Sequence, residues 1–239
     1  MKSSAQSING NPPLTVDGLN QSFDGLEPVL GLQRLFKTYA AEDILITTSF
    51  GTKSIYLLYL LNQVAPGHPV YFIDTGFHFT ETISYRDSLI RRLGLNIVTI
   101  DPHPEEHALT KEESWWIEHP KMCCTINKIA PLQPYIERHK VWVSSLMAYQ
   151  NEYRANLRLF EQQGDILKYH PLLHVSETTF NTTLDDLDLP IHPLFYLGYE
   201  SIGCMHCTKP GKGREGRWSG KTKTECGLHL KYFTKHEHA

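Results

Sequence analysis

From Asp43 to Ile100 short apolar stretches alternate with amphipathic ones, and this alternation restricts the fold more than anything else in the 239 residues. Asp43 to Thr48 (DILITT), Pro69 to Ile73 (PVYFI) and Asn96 to Ile100 (NIVTI) read as buried strands. Lys53 to Val64 reads as an amphipathic helix, and Thr80 to Leu93 as a second helix closed by Gly94. Strands alternating with helices predict an α/β fold: a parallel sheet with right-handed crossovers and helices on both faces. Val141 to Leu146 (VWVSSL) reads as a further strand, Lys168 to Leu173 is compatible with another, and Asn181 to Leu189 reads as a short acidic helix. Residues 1–40 read as an arm leading into a helix, with Val29, Leu32, Leu35 and Phe36 at helical spacing. Residues 41–210 form the α/β domain. In 211–239 Gly, Lys, Arg and His replace any periodicity, the pattern of a mobile C-terminal tail.

A hydrophobic content of 41% is ordinary for a globular chain and leaves no argument for disorder. No apolar run approaches the roughly 20 residues a membrane span needs, and Met1 to Gln21 lacks a signal core. The expected location is therefore the cytoplasm, with no membrane partner. A net charge of -3 gives no global attraction to nucleic acid. Locally, Lys209, Lys212, Arg214, Arg217, Lys221 and Lys223 stand against the single acid Glu215. That cluster reads either as an anion sink or as a solvated basic loop.

Two loops fall beyond the carboxyl ends of predicted strands, where an open α/β sheet binds its ligand: Ser49-Phe50-Gly51-Thr52-Lys53-Ser54 and Asp74-Thr75-Gly76-Phe77-His78-Phe79. The first leads into a helix, whose N-terminal N–H groups favour phosphate, although its spacing is not that of a Walker A loop. The five cysteines carry a sharper signal. Cys123 and Cys124 are adjacent, Cys204 and Cys207 form a C-x-x-C, and Cys226 stands apart. Two thiolate pairs brought together by folding suit an iron–sulfur cluster or zinc, and buried unligated thiols are the bland reading. If the first pair opens a helix running to about His139, the positive end of that helix would offset cluster charge. Cys226, preceded by the basic run, has the cationic neighbours that favour a nucleophilic thiolate, with a bystander surface cysteine as the alternative.

Between Ile44 and Leu230 these residues resemble the assimilatory adenylyl-sulfate / phosphoadenylyl-sulfate reductases. The resemblance rests on Ser49 to Gly51, on Phe72 to Gly76 with Glu81-Thr82, and on Cys123-Cys124 followed by Lys128 and Pro131-Leu132. It is densest at Pro193-Leu194, Gly198 to Cys204, Cys207-Thr208, Arg214 to Trp218 and Glu225 to His229. It implies a PP-loop (adenine nucleotide alpha hydrolase-like) fold, in which Ser49, Phe50, Gly51, Ser54, Asp74, Thr75, Gly76 and Arg154 receive the substrate nucleotide. It implies that Cys226 attacks the sulfur of adenylyl sulfate, that Lys128, Arg214, Arg217 and His229 face the sulfate and phosphate oxygens, and that an S-sulfocysteine forms. Thioredoxin or a glutaredoxin-like dithiol then releases sulfite. It further implies a 4Fe-4S cluster on Cys123, Cys124, Cys204 and Cys207, with an electrostatic and structural role.

The chain departs from the family pattern where Asn127 precedes Lys128 and where Met147-Ala148 follow the Trp142 strand, since the family usually has arginine at all three positions. Arginine is not replaced conservatively where it holds phosphate or sulfate bidentately, so these positions bear on substrate choice. Open alternatives are the 3'-phosphorylated substrate, another adenylated or sulfated compound, an ATP-using PP-loop enzyme, or a non-catalytic iron–sulfur module. No motif sets the oligomeric state, and a homo-oligomer is compatible with the sequence.

Overall fold

In the predicted strands successive side chains alternate between two apolar clusters, which is what covers a sheet on both faces. The structure, a computed structural model, describes residues 15–220 together with Glu225, Cys226 and Leu228. Its helices and strands run in the order α1 (Val16–Phe23), α2 (Pro28–Thr38), β1 (Ile44–Thr48), α3 (Ile55–Val64), β2 (Pro69–Ile73), α4 (Thr80–Leu93), β3 (Asn96–Ile100), α5 (Pro104–Glu112), α6 (Trp115–Glu118) and α7 (Pro120–Cys124). A π-helical turn, Thr125–Ile129, leads into α8 (Ala130–Arg138), followed by β4 (Val141–Val143), α9 (Glu152–Ala155), β5 (Phe160–Gln163), β6 (Ile166–Tyr169) and α10 (Glu177–Asp186).

The six strands form one sheet in the order β3-β2-β1-β4-β6-β5. Every pairing is parallel except that of β5 with β6. Ile44 and Ile46 of β1, Val70 and Phe72 of β2, and Val141 and Val143 of β4 join Leu32, Leu35, Leu58 and Leu61 in one cluster. Leu45, Ile73, Trp142 and Ile166 point the other way, onto Leu132 and Ile136 of α8. The predicted α/β class, with helices on both faces, is therefore the observed one. Gly94 caps α4 at φ 60°, a left-handed conformation that suits glycine.

Several boundaries move. The fourth predicted strand ends at Val143 rather than Leu146; just beyond it the Ser144 N–H donates to the Tyr169 carbonyl (3.1 Å) and the Ser144 hydroxyl meets His170 Nδ1 (2.8 Å). The fifth lies at Ile166–Tyr169, and the acidic helix begins earlier, at Glu177, where Ser176 accepts a hydrogen bond from the Thr179 N–H. Cys123 and Cys124 do not open their helix: they end α7, which Pro120 begins, and the helical path continues through the π turn.

The sequence expectations did not include α1, α5, α6, α9 or β5. Asn20 ties α1 to β5, donating to the Phe160 carbonyl (2.9 Å) and accepting from the Phe160 N–H (3.0 Å). The stretch from Gly211, expected to be mobile, is tied down as far as Trp218. The Gly211 N–H donates to Gly198 and the Trp218 N–H to the Cys207 carbonyl, and Trp218 is buried.

Candidate active site

The chain leaves β1 toward β2 and β3, then returns to β4 on the other side of β1. Loops at the carboxyl ends of β1 and β4 consequently diverge, and a cleft opens between them, as open α/β sheets predict. Ser49, Gly51, Thr52, Lys53 and Ser54 line it on one side and Ser144, Ser145 and Leu146 on the other. Thr52 donates to the Glu200 carbonyl (2.8 Å), which docks the Ser201–Gly203 stretch across the top of the cleft.

Cationic side chains gather at the far end. Lys128, Arg154, Arg214 and Arg217 all line the cleft, together with Glu225 and Cys226. The Lys128 ammonium lies 3.9 Å from Cys226 Sγ. Burial alone would depress this lysine, but the thiolates of Cys204, Cys226 and Cys124 outweigh burial and hold it protonated well above the ordinary lysine value. Arg217 donates to the Ile202 carbonyl (3.0 Å), and its guanidinium lies 4.4 Å above the Trp218 ring. Gly203 permits this approach, because any β-carbon there would collide with the Arg217 guanidinium.

Glu225, adjacent to the candidate nucleophile, is 1% exposed. Its carboxylate accepts two hydrogen bonds from Arg154 (2.7 and 3.0 Å), one from Arg214 (3.1 Å) and one from Asn151 (2.8 Å). Burial opposes ionisation of Glu225, yet the Arg154 hydrogen bonds and the Arg154 and Arg214 charges outweigh it and hold the carboxyl below its usual value. Arg214 is pushed down to about 9, chiefly by burial and by the neighbouring Arg154. The anchor fixes Cys226 at the cationic end of the cleft.

A second, small cavity lies behind Lys128. Cys123, Cys124, Cys204 and Cys207 border it, with Phe77, Trp116 and His206. Thr75 Oγ1 lies 3.4 Å from Cys204 Sγ, and the Met205 N–H donates to the Phe77 carbonyl (2.8 Å), so the Asp74–Phe79 loop holds the C-x-x-C in place. His206 stacks on Trp116 with ring centroids 3.9 Å apart. Asn127 donates to the Cys123 carbonyl (2.9 Å) and approaches its sulfur at 3.7 Å.

Among the described residues no group of three or more Cys, His, Asp or Glu side chains is arranged to hold a metal ion. Four thiols bordering one cavity nonetheless fit a polynuclear core, whose ligand sulfurs stand farther apart than those around one ion. Burial, with the charges of Cys204 and Cys207 added, pushes the Cys123 thiol up to about 11. Thiolates crowded in this way need a cationic partner, which a metal centre supplies.

Of the expected site residues, Ser49, Gly51, Ser54, Thr75, Arg154, Lys128, Arg214, Arg217 and Cys226 line the main cleft. Phe50, Asp74 and Gly76 do not. The Phe50 ring packs on Phe72 in the core, Asp74 accepts from the Gly76 N–H, and Gly76 lies against the His107 ring. His229 falls outside the described residues. Lys53 and His78, members of the two loops expected at the ligand site, also line the cleft, whereas sequence reasoning missed Glu225 as an anchor and Lys168 beneath the tail. No spacing pattern marks Glu225 as an anchor or Lys168 as a contact of the tail, so only tertiary contact exposes those roles.

The sequence matches the phosphoadenosine phosphosulfate reductase domain over residues 43–210. It is 38% identical over 198 residues to adenosine 5'-phosphosulfate reductase of Bacillus mycoides (strain KBAB4), covering 79% of this chain and 85% of that one. Identity to the Bacillus cereus (strain Q1) protein of the same name is also 38%, over 203 residues, 81% of this chain and 86% of that one. A crystal structure of phosphoadenylyl-sulfate reductase from Candida auris superposes with a TM-score of 0.70 at 21% identity, covering 86% of this chain and all of that one (100%). FMN adenylyltransferase of Candida glabrata shares the fold at a TM-score of 0.56 and 16% identity, over 83% of this chain and 66% of that one. The chain belongs to the phosphoadenosine phosphosulfate reductase domain family, oxidoreductases that act on sulfur groups.

Proposed function

We propose that the chain reduces adenylyl sulfate to sulfite and AMP, with Cys226 as the nucleophile. The observation that carries this reading is Cys226 Sγ at 3.9 Å from Lys128, at the cationic end of a cleft that the Ser49–Ser54 loop, which leads into α3, also lines. A nucleotide with its phosphate at that loop and the N-terminus of α3 would direct an attached sulfonyl group toward the sulfur. The Cys226 thiolate attacks the sulfonyl sulfur, the S–O bond to phosphate breaks, and AMP leaves with the bonding pair. Lys128, Arg214 and Arg217 stabilise charge on the sulfonyl and phosphate oxygens. A dithiol protein of the thioredoxin or glutaredoxin class then attacks Cys226 Sγ. Sulfite departs with the electron pair of the S–S bond, and the second thiol of the reductant closes a disulfide, which balances the two-electron reduction.

Cys123, Cys124, Cys204 and Cys207 would hold a 4Fe-4S cluster, which when bound supplies an electrostatic field beside the site and joins two distant segments. Free thiols and a dithiol reductant fit a reducing compartment, and we assign the reaction to the cytoplasm. The preference for adenylyl sulfate over its 3'-phosphorylated form draws on the names of the Bacillus relatives.

Anaerobically purified protein mixed with adenylyl sulfate should gain a sulfonate-mass adduct, read by intact-protein mass spectrometry. An adduct from the 3'-phosphorylated compound alone would reassign the substrate, and none from either would sink the reaction. Iron with acid-labile sulfide is expected in the same sample, whereas stoichiometric zinc without sulfide would overturn the cluster assignment. Lys128→Met should slow adduct formation by about 10²–10³-fold, the scale on which a single preorganised charge donor acts. A wild-type rate in that variant would remove Lys128 from the chemistry.

A further inference from the structure

Lys168 is a charged residue in the middle of a buried strand, a position that needs a reason. It lies on β6, is 3% exposed, and sits opposite Glu161 in the β5–β6 register. Its ammonium does not reach solvent along the strand. Nζ lies 4.1 Å over the Trp142 ring and donates to the Leu228 carbonyl at 2.9 Å. Leu228 is two residues beyond Cys226, and both line the main cleft.

The tail segment therefore has two side-chain anchors, one on each side of the nucleophile. Glu225 is held by Arg154 and Arg214 on one side, and the Leu228 backbone is held by Lys168 on the other. A thiol fixed at one neighbour only could still swing about that point. Fixed at both, it is restricted to the cationic end of the cleft, and restriction of this kind is what an in-line attack on a bound substrate needs.

We propose that Lys168 is a positioning residue for Cys226: by clamping the Leu228 carbonyl it sets the nucleophile at the cationic end of the cleft, without touching substrate itself. The clamp rests on the reading of Cys226 as nucleophile. Groups facing the Lys168 amine are Glu161 from β5, His170 from its own strand's end, Arg154 from α9, and Glu225 and Cys226 from the tail. Burial presses the ammonium down to about 7, with Glu161, Cys226 and Glu225 opposing. Both protonation states keep an N–H for the carbonyl, so the clamp holds across neutral pH.

The test has two arms. Lys168→Met removes the donor while keeping an unbranched chain over Trp142. Single-turnover formation of the Cys226 adduct at saturating adenylyl sulfate should fall by about 10–100-fold, the scale of a lost hydrogen bond to a charged group. AMP affinity should stay within about twofold, because the Ser49–Ser54 end is untouched. Hydrogen exchange should rise in the peptide carrying Glu225 and Cys226 and not in β1 or β4, and Lys168→Arg should recover part of the rate. A Lys168→Met protein with wild-type adduct formation and wild-type tail exchange overturns the clamp.

The second arm leaves the core intact. Native ligation at Cys226 allows the amide joining Leu228 to His229 to be replaced by an ester, which weakens the Leu228 carbonyl as an acceptor. A slowing of about 2–10-fold with raised tail exchange supports the clamp, and no change in either overturns it, even if Lys168→Met does not fold. If wild-type protein forms no adduct with either sulfonucleotide, the nucleophile reading fails on its own, while tail exchange still reports whether Lys168 holds Leu228.

Discussion

Cys226→Ser is expected to abolish turnover, by about 10⁶-fold on the scale seen when an enzyme loses its nucleophile, and to leave the iron–sulfur absorbance unchanged. The two halves of this result have separate structural grounds. A serine hydroxyl beside Lys128 is not ionised at neutral pH and cannot leave a sulfur–sulfur intermediate for a dithiol to cleave. Cys226 lines the main cleft, whereas the four thiols of the second cavity are Cys123, Cys124, Cys204 and Cys207, so the substitution removes none of the proposed cluster ligands. Steady-state sulfite release and the visible spectrum of the same anaerobic sample check both. Loss of iron in the serine variant would show that Cys226 is itself a ligand, and residual turnover within tenfold of wild type would mean another residue attacks.

Glu225→Gln should cost about 3–5 kcal/mol, expressed as undocking of the tail, because it leaves Arg154 and Arg214 buried without their carboxylate. An amide retains one acceptor for Arg154 but brings two N–H groups against guanidinium donors, so the substitution adds repulsion as well as removing charge. Adduct formation falls with it, although no atom of Glu225 joins the chemistry. Because the folded-state carboxyl is held below its ordinary value, its stabilisation is complete above the usual glutamate range and is lost as pH falls through the lower folded value. The gap in denaturant midpoint between wild type and Glu225→Gln should therefore be full at pH 7 and close in acid. A gap that persists unchanged below the folded pKa would show that the ion pair is not its source.

Legibility in the sequence followed how local each signal is. β1, β2, β3 and α4 were readable because their apolar residues are contiguous or helically spaced and Gly94 punctuates the end. β5 was not: Phe-Glu-Gln-Gln is short and polar, and it is a strand only because β6 lies antiparallel beside it. Lys168 blurred the start of β6, since a lysine in a buried strand contradicts local preference until Leu228 and Trp142 are in place. In the site, the cysteine pairs were readable through their spacing, Arg214 and Arg217 through the basic run, and Lys128 only through the family resemblance, and all of them line the main cleft or the cavity behind it. Phe50 misled because its neighbours Ser49 and Gly51 do line the cleft, while its own positive φ of 48° turns the ring into the core.

The Asn20 amide spans both backbone groups of Phe160, one bond from each end of the amide. A strand at the margin of a sheet ordinarily offers its spare N–H and C=O to any extended chain that drifts past. At Phe160 both are already satisfied by a side chain from α1. The sheet is hemmed at that rung, and a segment far from the chemistry thereby guards the molecule against adding a seventh strand from a neighbour.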